Sequence, residues 1–380
     1  MFDNLIPNLL FKRAHLTPDR PAIRFQDREF TFKELYDLSY DAAGRLMGSG
    51  VEKDQYIGVL LRNHLDTVVI LLALQLIGVK AIILNNRLTT DELIWQLADS
   101  EPAFLITEEF FLEKVSMITL PLKWMTKENL RSRPFQNPKV QEEVNLNDVC
   151  TVMYTSGTTG HPKGVLQTYG NHWWSAAGSA LNLGLKEDDC WLCSVPLFHI
   201  SGYSILMRSL IYGMKIVLHE SFNAPKTIQA IKEEKVTIMS VVTTMLARLV
   251  DELVEETMPA YFRCALLGGG PAPLPLLEKC VEREIPVFQS YGMTETSSQI
   301  VTLSPEYCIQ KLGSAGKPLF PSQLKIVDED GNELKSGKSG EITVKGPNVT
   351  NGYLNKEEVT KSKIKNGWLN TGDIGYLDED

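Results

Sequence analysis

Short apolar runs rich in β-branched residues alternate along most of this chain with longer segments of helical periodicity. That alternation narrows the fold more than any other feature. Strands are expected over 56–61, 81–85, 103–107, 149–154, 191–195, 216–219, 237–242, 264–268 and 286–290. Between most of them lie stretches with apolar residues at i, i+3 and i+4, namely 32–47, 65–78, 91–98, 201–212, 225–235, 245–255 and 274–283. A strand–helix–strand rhythm of this kind builds parallel sheets covered by helices, an α/β fold of doubly wound type. Local signals agree. Thr31 and Glu34 fit a capping box, and Asn223 precedes Pro225 as a cap ahead of a first-turn proline.

The rhythm breaks twice. From about 114 to 147 periodicity weakens and Pro121, Pro134 and Pro138 appear, as in a connector. From Gly313 onward Gly and Pro recur and strands shorten to 324–327 and 341–345, with Asp330-Gly331 in a hairpin turn. The expected organisation is a first α/β subdomain over 1–147, a second over 148–310, and a small β-rich, barrel-like subdomain over 311–380. At 380 residues the chain exceeds what one core holds comfortably.

Composition excludes several classes. Hydrophobic residues are 43% and charged residues 22%, so the chain is neither disordered nor a coiled coil. A net charge of −9 without a long Lys/Arg block argues against nucleic-acid and anionic-membrane partners, but not against anionic small ligands. No signal peptide is visible, and the apolar stretch over 67–78 is too short to span a bilayer. Six scattered cysteines do not make a secreted disulfide framework, so a reducing cytoplasm is expected. Cys190 and Cys193 lie in an expected strand, where i and i+3 point to opposite faces, and no second pair completes a metal site. Assembly into a homo-oligomer is left open.

The stretch richest in chemistry follows the strand at 149–154. Thr155, Ser156, Gly157, Thr158, Thr159, Gly160 and Lys163 place four hydroxyls, two glycines and one lysine within nine residues. Glycines let backbone N–H groups approach an anion, hydroxyls add hydrogen bonds, and the lysine adds a point charge. This is not the Walker A loop of nucleotide triphosphatases. Five and six residues after Gly157 stand Pro162 and Lys163, and Gly164 replaces the required Ser or Thr.

With this loop the sequence resembles the adenylate-forming superfamily, which includes acyl- and aryl-CoA ligases. Four further motifs follow in order: Pro196 to His199; Gly268, Gly269 and Gly270; Tyr291, Gly292, Met293, Thr294 and Glu295; and Thr371 to Asp373. The resemblance implies ATP and Mg2+ as cofactors, coenzyme A as co-substrate, and an acyl-adenylate intermediate. It implies that Thr155, Ser156, Thr158, Thr159 and Lys163 hold the β- and γ-phosphates, and that Glu295, with Thr159, ligates Mg2+. Thr294 would contact the α-phosphate, Tyr291 the adenine beside the triple glycine, and Asp373 the ribose. His199 would lie at the carboxylate end of the acyl pocket; as a lone histidine it is also compatible with a purely structural place.

Ser201 and Arg208 stand i, i+7 on one face of an otherwise apolar helix. An arginine there needs a partner, either a distant acidic residue, solvent, or a substrate carboxylate held bidentately. Together with Asn171-His-Trp-Trp-Ser and with Ser297 and Gln299, this resembles the o-succinylbenzoate–CoA ligase branch of menaquinone biosynthesis. That branch takes an aromatic acid bearing a second carboxylate. The alternatives are another aryl- or fatty-acyl-CoA ligase, or a nucleotide-binding module without catalysis. Members of the superfamily continue into a small C-terminal domain that no segment here resembles. The 380-residue chain is therefore expected to bind ligands but to turn over slowly.

Overall fold

The computed structural model describes residues 4–155 and 161–380. Ten of the twelve residues of helix Leu65–Leu76 are buried, Thr67 through Leu76 without a break. Such a helix fits only between layers, and each of its buried aliphatic side chains contributes roughly 1.5–3 kcal/mol relative to exposure. It packs into one continuous apolar core shared by two large sheets.

The first sheet has six strands. Its order is Lys163–Thr168, Val149–Thr155, Lys80–Ile83, Tyr56–Val59, Phe104–Thr107 and Lys123–Thr126. All neighbours are parallel except the first pair, an antiparallel hairpin in which Lys163 lies opposite Thr155. The second sheet has nine strands, with a parallel centre of Val287–Met293, Cys264–Leu267, Ile238–Val241, Cys190–Cys193, Lys215–Leu218 and Pro21–Phe25. Antiparallel strands close both edges: Arg28–Thr31 at one, Ser298–Leu303 and Lys317–Pro318 at the other. A four-stranded antiparallel sheet runs Gln323–Val327, Gly340–Lys345, Trp368–Gly375, Ile364–Lys365. The doubly wound α/β expectation and the small β unit are both observed.

Sheet membership crosses the boundaries expected at 147/148 and 310/311. Residues 21–31 belong to the nine-stranded sheet, and 149–168 belong to the six-stranded one. Lys317–Pro318 also joins the nine-stranded sheet rather than the small one. The stretch from 114 to 147 is more than a connector, since Lys123–Thr126 forms the outer strand of the first sheet. Edge strands need only one covered side, so their apolar alternation is weak and polar residues are tolerated.

Capping follows the sequence. Thr31 and Glu34 make a reciprocal capping box, and the Asn223 side chain accepts from the Lys226 N–H with Pro225 in the first turn. Gly331 adopts a left-handed φ of 85° and its N–H bonds to the Asp328 carbonyl, closing the hairpin turn. Among the described residues no helix is long and apolar enough to cross a membrane. Cys190 and Cys193 are both buried, because a central parallel strand is covered on both faces, and burial pushes each thiol up to about 12.

Candidate functional site

In parallel strands all carboxyl ends point the same way, so the loops that leave them gather along one edge. Three expected motifs leave the nine-stranded sheet on that edge. Pro196 to His199 follows Cys190–Cys193, the triple glycine follows Cys264–Leu267, and Tyr291 to Glu295 ends Val287–Met293. Thr155, at the carboxyl end of its strand, and Lys163, paired with it, bring the hydroxyl-rich loop from the six-stranded sheet. Ser156, Gly157, Thr158 and Thr159 lie outside the described residues. Asn63 joins the two sheets at this edge. Its side-chain amide donates to the Val195 carbonyl at 2.9 Å and its oxygen accepts from the Leu197 N–H at 2.8 Å.

Glu295 lies in the short turn Thr294–Thr296 and is 6% exposed. One carboxylate oxygen accepts from the Tyr353 hydroxyl at 3.1 Å. Burial raises the carboxyl above its ordinary range, while a backbone hydrogen bond, the Tyr353 hydroxyl and the Lys163 charge oppose that shift. The Lys163 ammonium lies 5.8 Å from the Tyr353 ring centroid. Tyr353 was not singled out from sequence. It stands 58 residues from Glu295, and a Gly-Tyr-Leu tripeptide carries no local sign of that contact.

The small sheet reaches the same place. Tyr291 donates its hydroxyl to an Asp373 carboxylate oxygen at 2.7 Å. Asp373 is exposed, inside strand Trp368–Gly375 at an irregularity in its pairing, where Gly372 has φ of 84° and its N–H donates to Glu341 at 2.9 Å. Gly292 has no room for a side chain, because a Cβ there would stand 2.1 Å from the Ser298 carbonyl oxygen. Gly269 and Gly270 take left-handed φ of 81° and 156°, and Gly268 lies beside Ser290. Met293 begins the turn, and its N–H donates to the Thr296 hydroxyl at 3.0 Å.

His199 caps helix Ile200–Tyr212 without a side-chain cap bond and is solvent-exposed. Nearby protein atoms and then the Arg87 charge lower its pKa, so the neutral ring is favoured. Phe198 lies between the two, with ring centroid 4.5 Å from His199 and 5.7 Å from the Arg87 guanidinium.

Ser201 and Arg208 share a helix face but not an environment. Ser201 is exposed at the open end, whereas Arg208, two turns further in, is 1% exposed. Arg208 donates to the Ser298 hydroxyl at 3.2 Å and lies 5.1 Å from the Trp191 ring centroid. Its Nε has no hydrogen-bond partner, and no carboxylate pairs with it within 4.0 Å among the described residues. The distant acidic partner allowed from sequence is thus not found among those residues. Burial lowers its pKa. Among the described residues, Ser297 Oγ and Gln299 Oε1, on the segment that supplies Ser298, and His172 Nδ1 are also buried without hydrogen-bond partners. Ser297 is held at φ 53°. His172 is pushed down to about 3, first by burial and then by the Arg208 charge.

Comparison with known proteins agrees with the motif reading. The AMP-binding enzyme family model matches residues 10–354. The chain is 51% identical over 375 residues to 2-succinylbenzoate–CoA ligase of Geobacillus sp. (strain WCH70), covering 99% of this chain and 75% of that protein. It is 49% identical to the protein of the same name from Bacillus cereus (strain Q1), covering 99% and 76%. Its structure is similar to o-succinylbenzoate coenzyme A synthetase from Bacillus subtilis in complex with AMP, with a TM-score of 0.95, 48% identity, and coverage of 99% and 77%. It also resembles the N-terminal domain of FACL13 from Mycobacterium tuberculosis, with a TM-score of 0.92, 28% identity, and coverage of 98% of each chain. With the fold, the ordered motifs and these relatives in agreement, the chain belongs to the AMP-binding enzyme family, among its acid–CoA ligases.

Proposed function

We propose that this protein activates the succinyl carboxylate of o-succinylbenzoate with ATP and passes the acyl group to coenzyme A. Relatives named for 2-succinylbenzoate at 49–51% identity support that substrate, and B. subtilis structures with the acyl-adenylate and with ATP and magnesium support the route. The observation that carries the reading is Arg208. A buried guanidinium with an unbonded Nε is costly until an anion pairs with it, and the second carboxylate of this substrate is such an anion.

The chemistry uses two displacements. A carboxylate oxygen attacks the α-phosphorus of ATP and pyrophosphate leaves. The thiol sulfur of coenzyme A then attacks the acyl carbon, loses its proton, and AMP leaves. The first step is governed by alignment and by neutralised charge on the phosphates. Thr155 and Lys163, with Ser156, Gly157, Thr158 and Thr159 between them, hold the β- and γ-phosphates. Thr294 contacts the α-phosphate. The adenine lies along Tyr291 and Gly268 to Gly270, and Asp373 accepts from the ribose hydroxyls.

A buried carboxylate whose pKa is raised is a good seat for a hard cation. Magnesium needs only one or two protein carboxylates when phosphates and water complete its shell. Glu295 fits, with Thr159 as second ligand, and magnesium there would neutralise phosphate charge. Neutral His199 orients the reacting carboxylate, and Ser201, Arg208, Ser297 and Gln299 take the aromatic acid end.

Calorimetric titration with two non-hydrolysable adenylate analogues tests this, one carrying o-succinylbenzoate and one lacking its aromatic carboxylate. A preference of about tenfold for the first, lost in Arg208→Ala, is expected of a charge-assisted contact. Equal affinity would leave a general acid–CoA ligase and remove the dicarboxylate.

A further inference from the structure

The turn that carries Glu295 is held by its own carbonyls. Four consecutive residues each accept a hydrogen bond from a different donor. Thr294 O accepts from Gln167 Nε2 at 3.0 Å, and Glu295 O from the Thr350 N–H at 2.7 Å. Thr296 O accepts from Asn348 Nδ2 at 3.1 Å, and Ser297 O from Ser175 Oγ at 2.7 Å. The donors come from the six-stranded sheet, the chain beyond the small sheet's second strand, and helix Tyr169–Leu183. All four donor residues are buried.

Both amides are fixed at their far ends. Gln167 Oε1 accepts from the Thr151 hydroxyl at 2.9 Å, and Asn348 Oδ1 accepts from the Ser322 hydroxyl at 2.9 Å. The same helix turns a second residue to this task. Asn171, one turn before Ser175, donates to the Pro347 and Val349 carbonyls at 3.0 and 2.9 Å, fixing the strap that holds Asn348 and Thr350. The backbone being gripped is one that L-residues avoid, with Ser297 at φ 53° and Ser298 at φ 111°. Such a conformation persists only where the surroundings over-determine it.

We propose that Gln167, Ser175 and Asn348 are positioning residues that aim the Glu295 carboxylate at the magnesium–nucleotide. This gives the Asn171-to-Ser175 motif a role distinct from contact with the acid. The inference rests on the reading of Glu295 as the magnesium ligand. Residues behind a metal ligand, though they never touch the ion, typically change metal affinity by about 10–100-fold when altered.

The test is calorimetric binding of a non-hydrolysable ATP analogue at graded Mg2+, alongside an acyl-adenylate analogue in chelator. Ser175→Ala should raise the Mg2+ concentration for half-maximal binding by about tenfold, while Ser175→Thr, which keeps the hydroxyl, restores it. Asn348→Asp and Gln167→Glu keep shape but replace donor with acceptor and should shift it at least as far. Affinity for the adenylate analogue in chelator, which reads only Thr294 and Ser297 on the same turn, should fall by clearly less than the Mg2+ dependence shifts. Folded Ser175→Ala with wild-type Mg2+ dependence, or with an equal loss in chelator, overturns the proposal. If the amide variants do not fold, the Ser175 pair decides alone. Glu295→Gln separates the two readings: an unchanged Mg2+ response there refutes Glu295 as ligand, whereas a lost response with unaffected Ser175→Ala refutes only the positioning role.

Discussion

The proposed nucleotide side and the proposed acid side of this site are built on opposite principles. Around Glu295 the polar groups are already satisfied by protein: Tyr353 on the carboxylate, Asp373 on Tyr291, and a separate donor on each of four carbonyls. Across Arg208, His172 and the segment 297–299 they are not: among the described residues Arg208 Nε, Ser297 Oγ, Gln299 Oε1 and His172 Nδ1 are buried without hydrogen-bond partners. Ser297 belongs to both, its carbonyl gripped and its hydroxyl unbonded. A satisfied network is rigid before its ligand arrives, whereas an unsatisfied one gains most when a complementary ligand enters. The first arrangement suits a ligand common to a whole family, and the second suits discrimination between acids.

Substitutions can break this contrast. The largest effect is expected from Glu295→Gln. Adenylation, followed by pyrophosphate release, should fall by about 10²–10³-fold, as for loss of one group that stabilises transition-state charge. An unchanged rate would remove the nucleotide side's central residue.

Arg208→Met comes next. The preference for the dicarboxylate analogue, about tenfold, should vanish, yet chemical denaturation should show equal or higher stability. Exchanging an unpaired buried charge for an apolar chain of similar volume removes a desolvation cost. A loss of about 3–5 kcal/mol instead would mark Arg208 as a structural partner.

His172 sharpens the comparison through pH. Its folded value of about 3 lies below the ordinary value near 6.5. Between those two values the unfolded chain takes up a proton that the folded chain refuses. Stability therefore falls as pH falls through that window, with a slope approaching about 1.4 kcal/mol per unit. His172→Gln should flatten this limb in denaturant titrations at pH 4 to 7, and an unchanged slope would contradict neutral burial beside Arg208 and Tyr203. The smallest effect is expected of Tyr291→Phe. It loses one exposed bond to Asp373, worth about 1 kcal/mol, or roughly fivefold in AMP affinity by calorimetry.

What could be read from sequence was what is encoded locally. The glycines at 268–270 and 292, the Thr31–Glu34 capping box and the central strands other than Pro21–Phe25 each leave a signature within a few residues. The apolar face that carries Arg208 was legible too, but solvent stayed open as its partner until the fold placed it inside. Gln167, Asn348 and Tyr353 were not legible. Each acts across 52 to 127 residues through a single bond, and no periodicity records a side chain that serves a distant carbonyl. The edge strands at 28–31 and 123–126 escaped for the reason that edges tolerate polar residues.

The crossed strands set the order in which this molecule can be assembled. Pro21–Phe25 pairs with Lys215–Leu218, so an early segment waits for nearly two hundred further residues before its sheet edge is covered. Val149–Thr155, conversely, completes a sheet begun by residues 56–59. Pairings so distant in sequence make folding slow and leave apolar edges open during synthesis. Neither half of the chain can be cut away as a working piece. A break near 147 leaves the N-terminal fragment without the strand on which its parallel sheet ends, and leaves the remainder without the hairpin that caps its own.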